Sequence, residues 1–378
     1  MLDFTSAHYL GSPQLTVPPG LALSTGRPAA LHEPKWHRHV AELVARRQGL
    51  GTGLLAPSAL HLFWDVLALA PPSAVVFVDE AMYPVGQWGA ARAALRGLPV
   101  VRFCPDDLPG LRRLVHTYRQ QGRTPWLLSD GWRLTAEGPA PLTQYLALLR
   151  PDPRSVLLLD DTQAFGVVGA QPTARQPLGQ GGGGTLAYLG RSSPQVLCIT
   201  SLAKGLGVPL AVLAGSRAWL ARFARRSATR VHTSPASNWH AYAAGHALQR
   251  DAAGAGDAAR QLLTQRIGEF RAGLGAAGWR PRGGWFPVQK LPLPTAAAAL
   301  RLHQHLAARG IRALLLADAQ RPAVPQVAFC LRADHSAADV ARLVGAVQGW
   351  RKAQPVGASF FLPSSTSTAY RHEHAVES

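Results

Sequence analysis

Between residues 35 and 240, short apolar runs alternate with stretches of helical periodicity, and this alternation constrains the fold more than any other feature. The runs lie at 74–78, 99–103, 126–128, 156–159, 196–199 and 210–213. Several are rich in β-branched residues, and apart from Arg102 they are apolar rather than alternating. Strands of that kind are buried on both faces, which is the pattern of a largely parallel sheet covered by helices. Helical spacing fills the gaps at 37–47, 58–69, 86–96, 108–121, 141–149, 217–226 and 238–253. Further on the pattern changes. Helices at 258–277 and 296–309 flank a strand-like 285–291, and 327–331 precedes a last helix at 337–353. The expected organisation is an N-terminal segment at 1–34, a large α/β domain at 35–240 and a smaller α+β domain at 241–354. A Ser/Thr-rich tail at 355–378 is expected to be disordered.

A chain of 378 residues can hold two such cores. Its formal charge of +18 suggests nucleic acid at first, but the arginines are spread along the whole length, with no basic block interleaved with aromatics. The densest stretch, 217–230, places Trp219, Leu220 and Phe223 on one helical face and arginines on the other, which is an ordinary amphipathic surface helix. Cys104, Cys198 and Cys330 are far apart and odd in number, giving neither a disulfide framework nor metal-ligand spacing. No N-terminal basic and apolar leader is visible, and no apolar run approaches the roughly 20 residues that cross a bilayer. A soluble cytoplasmic protein is expected, with no nucleic-acid or membrane partner. The glycine run at 181–184 has neither a strand before it nor Lys-Ser/Thr after it, so it reads as a flexible loop.

Only four of the 39 basic residues are lysines: Lys35, Lys204, Lys290 and Lys352. Three lie in polar or Pro-flanked surroundings, whereas Lys204 sits in CITSLAKGLGVPLAVLAG (198–215), between two apolar runs. Arginine stays charged, while a partly desolvated lysine amine becomes a nucleophile or Schiff-base partner. About forty residues earlier, SVLLLDDTQAFGVVG (155–169) ends an apolar strand in two acids. Ligands of doubly wound sheets bind at the carboxyl ends of the strands. An acid and a lysine there suit pyridoxal 5'-phosphate (PLP), which needs an amine partner and a carboxylate to hold its ring nitrogen protonated.

With these residues in place, the chain resembles a fold-type I PLP enzyme, most similar to the α-oxoamine synthases of the 8-amino-7-oxononanoate synthase type. The resemblance spans most of 3–345. DFTSAHYLG (3–11) is similar to the family's N-D-Y-L-G, DEAMY (79–83) to D-x-x-x-H, and GPAPL (138–142) to G-D-x-A-P-L. DDTQAFG (160–166) is similar to D-D-A-H-G-x-G, TSLAKGLG (200–207) to T-x-x-K-x-x-G, and VHTSP (231–235) to x-S-T-x-x-P. Each match is short, and their shared order and spacing carry the resemblance.

The resemblance implies a mainly parallel seven-stranded sheet and a homodimer. It implies that Lys204 forms the internal aldimine and that Asp161, the second acid, pairs with the ring nitrogen. Ser58 and Ala59 would offer backbone N–H groups to the phosphate, with Ser201 nearby and Thr233 reaching in from the neighbouring subunit. The family's stacking histidine is Tyr83 here, and the histidine after the acid pair is Gln163. Stacking survives with any flat ring, and Gln163 can hydrogen-bond the cofactor's phenolic oxygen but cannot titrate. Arg321 is the candidate for the substrate carboxylate, with Arg332 as rival. The glycine pair after the lysine is Pro209-Leu210, and the chain is trimmed between 12 and 58. The implied reaction passes through a Cα carbanion. Attack on acyl-CoA makes an aminoketone; reprotonation at the cofactor makes an aminotransferase. A PLP-fold binding protein that has lost catalysis is the third alternative.

Overall fold

The computed structural model describes residues 1–11, 18–318 and 321–352, with the side chains of Asp318, Arg321 and Pro322 outside that set. The expected tail at 355–378 also lies outside the described residues.

Seven strands form the central sheet, in the order Thr52–Ala56, Ala211–Gly215, Val196–Ser201, Val156–Asp160, Thr124–Asp130, Ala74–Asp79, Val100–Phe103. Ala211–Gly215 runs antiparallel to both neighbours, and every other pairing is parallel. Successive side chains point to opposite faces of a strand, so each strand feeds two cores. Phe77, Leu127, Leu157, Leu159 and Cys198 pack under the helices Lys35–Arg47, Leu108–Gln120 and Leu142–Leu149. Val76, Val78, Leu128, Leu158 and Ile199 pack under Ala59–Ala68, Pro84–Leu95 and Arg217–Arg226. Burial on both faces is what the uninterrupted apolar runs required.

The edge strand Thr52–Ala56 escapes the sequence pattern because TGLLA carries no β-branched run and Gly53 interrupts it. Gly53 is there for space: a Cβ would meet the Ala41 carbonyl and the Val212 side chain. The expected strand at 285–291 shortens to Val288–Leu291, which pairs antiparallel with Arg321–Cys330, itself paired with Leu314–Asp318. Helices Gly256–Ala276, Ala296–Ala308 and Ala337–Lys352 cover this second sheet. The N-terminal segment belongs to the same core: Phe4 and Tyr9 are buried in it, and Leu2–Asp3 pairs with Ile311–Arg312.

Where helix Asn238–Arg250 gives way to Gly256–Ala276, Gly254 takes φ +97° and turns the chain from one core to the other. A buried ion network fixes that junction. Asp251 pairs with Arg47 and, at 3.0 Å, with Arg260. Arg260 also donates to the Gly166 carbonyl at 2.7 Å and pairs with Asp257 at 2.6 Å. A buried charge left without its partner costs about 3–5 kcal/mol. Arg260→Met is therefore expected to lower unfolding stability by about 3 kcal/mol, read as the urea midpoint. An unchanged midpoint would show that the network contributes nothing net.

Candidate active site

Three parallel strands end in an aspartate: Ala74–Asp79, Thr124–Asp130 and Val156–Asp160. All three carboxylates line a cavity of about 810 Å³ that also contains Lys204, Tyr83, Ser58, Ala59, Ser201, Thr162 and Gln163. The cavity sits at the carboxyl end of the sheet, where the α/β rule places a ligand. Among the described residues no histidine lines it.

Lys204 follows the Val196–Ser201 strand. Its Nζ lies 5.5 Å from the centre of the Tyr83 ring. Burial lowers its pKa from the usual lysine value, opposed by the charges of Asp160, Asp130 and Cys330. The amine is thus closer to its neutral, nucleophilic form than a surface lysine.

The structure separates the two acids: Asp160 lines the cavity and Asp161 does not. Asp160 faces Lys204. One residue further along, Asp161 is turned out of the cavity, its carboxylate accepting the Thr185 N–H at 3.0 Å at the start of helix Gly184–Tyr188. A one-residue step along an extended chain reverses the side chain's face. The glycine run serves this arrangement rather than a free loop. Gly184, at φ +80°, opens the helix, and any Cβ there would collide with the Asp161 carboxylate. Burial lifts the pKa of Asp161 to about 7, opposed by the Thr185 bonds.

Asp160 accepts the Thr162 N–H at 2.9 Å, and Thr162 Oγ1 accepts the Ser201 N–H at 2.9 Å. The two turns are tied together at the cavity floor. Asp130, paired in register with Asp160 on the adjacent strand, accepts the Tyr83 N–H at 3.3 Å. Burial, followed by the Asp160 charge, pushes the Asp130 carboxyl well above the ordinary aspartate range. Asp160 is also raised by burial, but its bonds from Thr162 and the nearby Lys204 favour the ionised form. Asp79 is held by the Ser129 hydroxyl at 2.9 Å and the Ala81 N–H at 2.8 Å.

Ser58 is the N-cap of helix Ala59–Ala68, with extended φ −158° and ψ 163°, but its hydroxyl does not cap the helix. It bonds His61 Nδ1 at 2.8 Å instead, leaving the first-turn N–H groups facing the cavity without a side-chain acceptor from Ser58. Such a helix start attracts anions. Gln163 Oε1 accepts the Tyr9 hydroxyl at 3.0 Å.

Other expected residues fall elsewhere. Thr233 lines a separate small cavity with Thr229, Arg230 and Pro235, and its hydroxyl donates to the Thr229 carbonyl at 2.7 Å. Within one chain it does not meet Lys204. The Arg321 side chain lies outside the described residues. Its rival Arg332 pairs with Asp334 at 2.8 Å and is not among the cavity's lining residues. Lys290, expected in polar surroundings, is buried, lines the same cavity and donates to the Leu134 carbonyl. Asp130 went unnoticed and Asp79 entered only as the first residue of the 79–83 match, although each is an acid at the end of a strand, the same signal that marked 160–161.

No family model matches the chain. An 8-amino-7-oxononanoate synthase of Dechloromonas aromatica is 31% identical over 327 residues, covering 82% of this chain and 76% of that protein. The chain belongs to the α-oxoamine synthase family. A Thermosynechococcus vestitus protein described as a candidate 8-amino-7-oxononanoate synthase is 28% identical over 364 residues, spanning 92% of this chain and 88% of its own length. Among solved structures, a serine palmitoyltransferase from S. paucimobilis superposes with a TM-score of 0.78 at 15% identity, covering 93% of this chain and 87% of that one. The 8-amino-7-oxononanoate synthase of Francisella tularensis gives 0.69 at 16% identity, with 93% and 98% covered. These two share the fold with the chain. No helix among the described residues is long and apolar enough to cross a membrane.

Proposed function

We propose that the chain is a PLP-dependent acyltransferase of the α-oxoamine synthase type, joining an amino acid to an acyl thioester. The observation that carries this is the meeting of a desolvated Lys204, the Asp160 carboxylate and an uncapped helix start on one cavity. These groups suit the three chemically distinct parts of PLP: an aldehyde, a ring nitrogen and a phosphate. When bound, the cofactor supplies the electron sink that lets a bond to the amino acid's α-carbon break.

The chain's own residues do the rest. Lys204 would hold the cofactor, and its amine would serve as the proton carrier at the α-carbon. Asp160 would keep a proton on the ring nitrogen by its charge. Ser58 and Ala59 would offer N–H groups to the phosphate, with the Ser201 hydroxyl as a further donor, and the Tyr83 ring would supply the stacking surface. Gln163 donates to the ring oxygen without titrating. Thr233, remote from Lys204 in its own chain, serves a second copy of the protein across a homodimer interface. Arg321 is the residue for the substrate carboxylate. Unpaired Cys104, Cys198 and Cys330 fit a reducing cytoplasm.

The test uses the purified full chain loaded with PLP and offered amino acids with acyl-CoA thioesters. Free thiol should appear only when both are present. Conversion of the cofactor to its amine form by an amino acid alone, with no thiol released, would replace this reading with an aminotransferase. Failure to bind the cofactor at all would leave a binding protein.

A further inference from the structure

Gln163 stands at a position where its amide orientation matters and where nothing in the side chain's own chemistry fixes it. A primary amide can present either its oxygen or its NH2 by turning about one bond, and the two faces act oppositely on an acceptor atom. The structure contains a group that removes the choice. The Tyr9 hydroxyl donates to Gln163 Oε1 at 3.0 Å, which leaves the NH2 as the amide's remaining polar face toward the cavity.

Tyr9 itself is held from three sides. Its ring is 2% exposed and meets Phe286 edge to face at 5.8 Å. Its carbonyl accepts the Ala333 N–H at 2.8 Å. Burial raises its phenol pKa well above the usual tyrosine value, so the hydroxyl keeps its proton and remains a donor across the working pH range. Tyr9 is absent from the cavity lining, so it reaches a ligand only through Gln163.

We propose that Tyr9 is a positioning residue that locks the Gln163 amide with its NH2 toward the ligand oxygen next to Lys204. This rests on the PLP reading above and adds to it. The site uses a non-titrating amide whose direction is set from the N-terminal segment, more than 150 residues away in sequence.

A donor held on the ring oxygen stabilises it as a bare anion, so the nitrogen that Lys204 contributes gives up its shared proton more readily. The pH midpoint of the bound cofactor's visible band is therefore lowered. The other titratable groups acting on Lys204 are Asp160, Asp130 and Cys330, and all are left intact by the test.

In Tyr9→Phe the amide is free to turn, and the midpoint should rise by about one pH unit, the equivalent of one directed hydrogen bond. Gln163→Leu should raise it comparably, and the double variant no further. A Tyr9→Phe midpoint equal to that of the unmodified protein, alongside a shifted Gln163→Leu, would reduce Tyr9 to a core residue, which lowers the unfolding midpoint only. Should Tyr9→Phe not fold, an unshifted Gln163→Leu still overturns the proposal, because no directed donor then exists. Absence of any band in the unmodified protein is a different outcome: it removes the PLP reading itself.

Discussion

Lys204→Ala is expected to lose the visible band of the covalently held cofactor and to lower turnover by ~10²–10⁴-fold, the range for losing a positioned proton carrier. Lys204→Arg should lose the band just as completely. Arginine keeps the charge near Asp160 and Asp130 but stays protonated, so it cannot attack an aldehyde. That pair of variants separates nucleophile from counter-ion. The pH dependence of cofactor capture has a definite sign. Capture requires the neutral amine, and burial lowers the Lys204 pKa in the folded chain. The capture rate should climb with pH and level off below the ordinary lysine value of 10.5. The same shift makes the cofactor-free fold gain stability as pH rises from that lowered pKa towards 10.5, because the unfolded chain then binds the extra proton. Stopped-flow mixing with PLP across a pH series measures the first effect. A rate still rising at 10.5 would mean that the amine is solvated and that the cavity does not activate it.

Much of this was legible before any coordinates, and the reasons differ from residue to residue. The parallel sheet was readable because burial on both faces forces apolar runs, and six of its seven strands carry one of the runs expected. The edge strand Thr52–Ala56 carries too little β-branched character to stand out, and the reversal of Ala211–Gly215 is a matter of connection, which periodicity does not encode. Lys204 was legible through contrast with an arginine-rich background. Lys290 shows the limit of that contrast: Gln289 and Pro292 lie close to it in sequence, but it lines the cavity all the same. Asp79 and Asp130 had the same strand-end signal as Asp160, and only the sheet order shows that all three open on one space. The Tyr9–Gln163 bond joins residues 154 apart, and no local pattern reports such a contact. Choosing between Asp160 and Asp161 needed the residue at which the strand stops, the boundary that sequence patterns define least well.

Because the two aspartates face opposite ways, their variants should fail in opposite ways. Asp160→Asn removes the carboxylate charge from the cavity beside Lys204 while keeping size and shape. Turnover should drop by ~10²–10³-fold, the usual loss when one electrostatic partner is removed from a water-excluded site, with folding stability little changed. Asp161→Asn should leave the cofactor band in place and act on stability instead. Burial raises the Asp161 pKa from 3.8 to about 7. Between those values the folded chain retains a proton that the unfolded chain releases, so stability falls as pH rises through the window and is flat above it. Three pH units at 1.36 kcal/mol each set the full swing at roughly 4 kcal/mol. An asparagine at 161 stays neutral throughout, and its amide oxygen still accepts the Thr185 N–H. The decline between pH 4 and pH 7 that Asp161 contributes should therefore vanish, and the variant should be the more stable protein at pH 8. Urea midpoints at pH 5 and pH 8 for both proteins give the comparison. Loss of the band in Asp161→Asn, with Asp160→Asn fully active, would return the ring-nitrogen role to the second acid and require the Val156–Asp160 strand to present the other face to Lys204.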